Sequence, residues 1–168
     1  MPSTPSVLPP DEISKRLNAL LRNRAETLAV AESCTGGRIS AALTTHSGAS
    51  SFFLEGACVY SDAAKIRTCG VSVELLETHG AVSEAVARQL AIGIRNRAQS
   101  TFGIGITGIA GPNGGSPDKP VGTVHLALAT PAGCTHTPLS LPDLPREQVI
   151  TLTTSLALDF LWRHLQAD

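Results

Sequence analysis

Ser33, Cys34 and Thr35 stand together in the run Ala31-Glu32-Ser33-Cys34-Thr35-Gly36-Gly37. Thr27 to Ala31 is a short apolar run that reads as a buried strand. From Thr35 onward a helical pattern resumes, with Ile39, Ala42 and Leu43 on one side. Nucleophilic side chains at such a junction face the free N–H groups of a helix start, which can stabilise a developing negative charge. That is what acyl transfer requires. An ordinary Ser/Thr helix cap, with glycines for tight packing, would look the same.

A base for this nucleophile is offered by Tyr60-Ser61-Asp62-Ala63-Ala64-Lys65, where Ser61 or Asp62 caps a short helix carrying Lys65. A lysine at a helix start sits at the positive end of the helix dipole, which suits it to act as a base, and a Ser-Lys pair needs no histidine. The alternative is a solvated surface lysine beside a strand tyrosine whose hydroxyl is in water.

Gly103-Ile104-Gly105-Ile106-Thr107-Gly108 has the Gly-x-Gly-x-x-Gly form, yet its first two glycines fall inside a strand-like run. The following Pro112-Asn113-Gly114-Gly115 cannot open a helix, so a dinucleotide fingerprint is rejected. What remains is a long loop, Thr107 to Lys119, whose glycines let backbone N–H groups approach a ligand, unless it is simply mobile. The five histidines and four cysteines show no zinc spacing, so no metal is expected to take part. The cysteines are read as reduced thiols.

These segments need elements to hold them. The Pro- and Ser-rich residues 1–10 read as a flexible lead-in, and 11–168 as one domain. A first helix opens at Asp11-Glu12 and repeats through Ile13, Leu17, Leu20 and Leu21. A second strand is expected over Gly56–Tyr60, and a Ser83-capped helix runs through Val86, Leu90 and Ile94. Further strands are expected at Thr101–Thr107, Gly122–Thr130 and Thr135–Leu141, the last two joined by a hairpin at Pro131–Cys134. A final helix covers Pro145 to about His164. Strands alternating with helices, then a hairpin, predict an α/β fold with a mixed sheet between helix layers.

Composition narrows the function. Hydrophobic residues at 42% and charged residues at 16% are globular values. Thirteen basic against fourteen acidic residues, net charge -1, give no general pull toward nucleic acid or an anionic membrane. No apolar run approaches the roughly 20 residues that span a bilayer, and Met1–Pro10 lacks signal-peptide character, so a cytoplasmic location is expected.

Four motifs in order, Ala31–Gly37, Tyr60–Lys65, Gly80-Ala81-Val82-Ser83 and the run Thr107–Val124, resemble the CinA C-terminal domain family, the nicotinamide-nucleotide amidohydrolases. The similarity covers nearly all of the chain after the Pro-rich start and matches the stand-alone form. It implies a three-layer α/β/α sandwich, cofactor-free and metal-free deamidation of nicotinamide mononucleotide, and homo-oligomers. It also implies that Ser33 attacks the amide carbon while Lys65, with Tyr60 nearby, handles protons. Cys34, Thr35 and Gly36 in the turn, Thr107, Gly108, Ile109, Ala110 and Gly111 in the loop, and Arg146 would contact the substrate. Some relatives with the fold lack the activity, so the alternative is a nucleotide-binding or regulatory protein with the same pocket.

Overall fold

The computed structural model describes residues 7–167. Of the expected lead-in, residues 1–6 lie outside the described residues. Helix α1 spans Pro10–Arg24 and starts one residue earlier than expected. Proline at the first helical position loses no hydrogen bond, because its N–H would have had no partner in the helix. Ile13, Leu17 and Leu21 on its inner face are fully buried, each worth about 1.5–3 kcal/mol of burial. Leu8, inside the expected lead-in, packs against the same core.

Strands β1 (Leu28–Glu32), β2 (Phe53–Cys58), β3 (Phe102–Gly108), β4 (Thr123–Thr130) and β5 (Gly133–Ser140) form one sheet in the order β2-β1-β3-β4-β5. β1 pairs in parallel with β2 and β3, and β3, β4 and β5 are antiparallel. The sheet is therefore mixed, as expected. Alternation along β1 separates two cores. Leu28 and Val30 join the side chains of α1, α2 (Arg38–Thr44) and α6 (Arg146–Ala167). Ala29 and Ala31 face α3 (Asp62–Cys69) and α5 (Glu84–Ala98). These are the three layers. Among the described residues, no helix is long and apolar enough to cross a membrane.

The glycines rejected as a dinucleotide fingerprint have a packing role. A Cβ on Gly103 or Gly105 would run into the Ala91 or Ala87 carbonyl oxygen. Their absence of side chain lets the α5 backbone lie directly on β3.

Several boundaries differ from the expected ones. β2 ends at Cys58, and although the Val59 amide still reaches the Glu32 carbonyl at 2.7 Å, Tyr60 leaves the sheet so that Ser61 can cap α3. α2 begins at Arg38 and not near Thr35, because Gly36 (φ 59°) and Gly37 (φ 94°) hold a left-handed turn. The hairpin is tighter than expected, Thr130 pairing with Gly133 across Pro131 and Ala132. α6 continues past His164 to Ala167. Helix α4 (Val73–His79) was not anticipated; it buries none of its residues, so it lacks the apolar stripe that periodicity detects.

Candidate active site

The ends of β1 and β3, the start of α3, the segment before α5 and the start of α6 enclose a cleft of about 280 Å³. Ser33 and Cys34 enter from the turn after β1, and Asp62 and Lys65 from α3. Lys65 is only 2% exposed. Its Nζ donates to the Tyr60 carbonyl at 3.3 Å and lies 3.7 Å from Asp62 Oδ1. The solvated-surface reading of Lys65 is thereby overturned, and Ser61 caps the helix that holds it by accepting from the Ala64 amide. Tyr60 is 61% exposed and sits on the rim.

Ser33 is 8% exposed. Beside it the Cys34 thiol is pushed up to about 12, chiefly by burial, with the nearby Glu32 charge adding and its own backbone amide, Arg146 and Lys65 opposing. A thiol so held stays protonated at neutral pH and is a poor nucleophile. Cys34 thus lines the cleft as an apolar wall.

The loop expected between Thr107 and Lys119 is stitched at its ends. The Ile109 amide donates to the Thr123 carbonyl, and the Gly122 amide to the Ile109 carbonyl, both at 2.8 Å. Thr107 Oγ1 donates to the Ala81 carbonyl at 2.8 Å, which joins β3 to the segment before α5. Gly108 lets Cys34 come close, since a Cβ there would lie 3.0 Å from Cys34 Sγ. Arg146 spans the mouth, with Nη1 donating to the Gly111 carbonyl at 2.7 Å and Nη2 to the Tyr60 hydroxyl at 3.0 Å.

Ten of the expected site residues therefore meet in one cleft: Ser33, Cys34, Tyr60, Lys65, Thr107, Gly108, Ile109, Ala110, Gly111 and Arg146. Thr35 and Gly36 do not line it. Thr35 is fully buried with its hydroxyl on a Glu32 oxygen at 2.7 Å, and the exposed Gly36 turns its amide back to the Ser33 carbonyl at 3.1 Å. Five lining residues were missed: Asp62, Ala81, Val82, Asn113 and Gly114. All five lie inside the motifs or the loop singled out by sequence, so the signal was present without its side-chain detail.

The helix-start N–H groups expected to be free are already engaged. The amides of Gly37, Ile39 and Ser40 at the α2 start all donate to the Glu32 carboxylate, at 3.1, 3.1 and 2.8 Å. The helix terminus is thus already filled by an internal anion. In the preceding turn, the Cys34 and Thr35 amides donate to no other described residue. Among the described residues no cluster of His, Cys, Asp or Glu is placed to hold a metal ion.

Residues 10–165 match the family model of the CinA C-terminal domain. A CinA-like protein of Citrifermentans bemidjiense is 47% identical over 155 residues, covering 92% of this chain and 37% of that protein. A CinA-like protein of a Synechocystis species is 47% identical over 160 residues, 94% of this chain and 38% of that protein. The chain thus spans little more than a third of the length of these curated relatives. The crystal structure of the competence/damage inducible protein CihA from Agrobacterium tumefaciens superposes with TM-score 0.91 at 37% identity, covering 99% of both chains. A competence-damaged protein (CinA) superfamily protein of Klebsiella pneumoniae gives TM-score 0.91 at 32% identity, over 96% of this chain and 100% of that one.

Proposed function

The chain belongs to the CinA C-terminal domain family, and on that premise we propose that it hydrolyses the carboxamide of nicotinamide mononucleotide to nicotinate mononucleotide and ammonia. The observation that carries this reading is the convergence of Ser33, the buried Lys65 and Arg146 on one cleft from three separate elements.

Ser33 Oγ attacks the carboxamide carbon while Lys65 Nζ takes the hydroxyl proton, giving a tetrahedral oxyanion. The Cys34 amide, on the cleft wall, is the donor left open for that oxygen. Lys65 then passes the proton to the departing nitrogen, and ammonia leaves behind an acyl-serine. Water attacks the ester, returning the serine proton and releasing the carboxylic acid. Arg146, at the mouth, would hold the 5′-phosphate through two parallel donors.

One observation favours a second reading, a nucleotide-binding protein without turnover: Lys65 Nζ bonds the Tyr60 carbonyl and Asp62, and Ser33 has no side-chain hydrogen bond among the described residues. Catalytic hydrogen bonds commonly tighten only once substrate is bound. Ammonia release from nicotinamide mononucleotide, with chromatographic identification of nicotinate mononucleotide, separates the two. Binding without ammonia would overturn the enzyme reading.

A further inference from the structure

Glu32 is 1% exposed, at the end of β1 and directly before Ser33. Its two oxygens take five donors. Oε2 accepts from Thr35 Oγ1 and the Gly37 and Ile39 amides, and Oε1 from the Ser40 amide and hydroxyl, all between 2.7 and 3.1 Å. A buried carboxylate needs such donors to offset its lost hydration. Nothing in the proposed chemistry uses it.

We propose that Glu32 is the positioning residue of the nucleophile turn: it fills the α2 start from behind, locks the Ser33–Gly37 backbone, and so sets where the Ser33 hydroxyl and the Cys34 amide stand. The local sequence shows why a strand residue has to do this. Gly37, at the α2 N-cap, has no side chain to cap the helix, and Gly36 and Gly37 are both in left-handed conformations that would otherwise leave the turn loose. One carboxylate satisfies three of the helix-start amides and fastens Thr35 within the turn. The Ser33 amide is held separately by the Ile106 carbonyl at 3.2 Å. Of the turn's amides, that of Cys34, which lines the cleft, is left for an incoming oxyanion. This inference rests on the reading of Ser33 as nucleophile, and it adds a residue that touches no substrate.

Two measurements test it. In the first, the whole chain is treated with iodoacetamide and adducts are counted peptide by peptide. Cys34 sits in the locked turn, while Cys69, also buried, lies in the opposite core and reports general opening. Glu32→Gln, which turns an amide NH₂ toward donors, is expected to raise Cys34 labelling about tenfold or more with Cys69 unchanged. No change at Cys34, or an equal rise at both cysteines, overturns the proposal. Ser40→Ala removes one donor and keeps the carboxylate; it should raise Cys34 labelling about threefold. That variant decides the matter if Glu32→Gln does not fold, and a Ser40→Ala chain labelled like the parent then counts against the proposal.

The second measurement is kinetic. Glu32→Gln should lower kcat about thirtyfold while KM stays within about threefold, because a misplaced amide is felt most when the oxyanion forms. A change in KM alone overturns the positioning role. If the parent chain releases no ammonia, the amidase reading fails by itself, and the labelling ratio still decides what Glu32 does.

Discussion

Arg146 Nη2 stands 3.0 Å from the Tyr60 hydroxyl oxygen, joining residues 86 positions apart across the mouth of the cleft. Arg146 is the first residue of α6, where a positive side chain opposes the helix dipole. Among the described residues its partners are a hydroxyl and a carbonyl, and the carboxylate next in sequence, Glu147, pairs with Arg38 at 3.0 Å. An arginine at the cleft mouth with no carboxylate partner among the described residues suits an anionic ligand.

Arg146→Ala is therefore expected to reduce kcat/KM for nicotinamide mononucleotide roughly ten- to a hundredfold, the worth of a hydrogen bond to a charged group. Nicotinamide riboside, which lacks the phosphate, should be a poor substrate and barely respond. Equal slowing of both compounds would mean that Arg146 does not read the phosphate.

Ser33→Ala should abolish turnover while Cys34→Ala keeps most of it. The burial that pushes the Cys34 thiol up to about 12 removes the more reactive neighbour from competition at neutral pH. A dead Cys34→Ala enzyme that still folds, with an active Ser33→Ala, would reverse the assignment.

In the proposed path Lys65 takes the Ser33 hydroxyl proton and passes it to the leaving nitrogen, so kcat should collapse in Lys65→Met by about a hundredfold or more. Lys65→Arg should fail as well, since guanidinium stays protonated. Near-normal turnover in Lys65→Arg would leave the lysine only an electrostatic part.

Alkaline stability follows from two buried thiols. Cys34 is raised to about 12 and Cys69 to about 11, in both cases mainly by burial. Unfolded cysteine ionises near about 8.5, so above that pH the unfolded chain holds fewer protons than the folded one and stability falls as pH rises. The limiting slope is about 1.4 kcal/mol per pH unit for each proton. Tm should decline from pH 9 to 11 more steeply in the parent than in Cys34→Ala/Cys69→Ala, whatever their starting values. Parallel curves would show that the thiols stay out of the alkaline transition.

What could be read locally was read from sequence. Ser83, and either Ser61 or Asp62, were expected as caps; Ser83 and Ser61 each accept from the amide three residues on, because an N-cap bond closes within one turn. The apolar stripe of α1 marked that helix, since burial on one face imposes a period, and strands alternating with helices, then a hairpin, pointed to the mixed sheet. Edges were less legible. β2 lies at the sheet margin with every second residue exposed, so its weak pattern allowed a shift toward Tyr60.

The cleft itself was decided by tertiary structure. Thr35 and Gly36 sit within three residues of Ser33 yet miss it, because the turn bends their groups toward Glu32 and back to the Ser33 carbonyl. Ala81 and Arg146, distant in the chain, meet Thr107 and Tyr60 there because the parallel β2-β1-β3 arrangement brings the carboxyl ends of those strands together. Whether the α2 start would serve a ligand or an internal carboxylate turned on the reach of the Glu32 side chain around a glycine turn. That is a matter of backbone dihedrals at Gly36 and Gly37, which residue types permit but do not select.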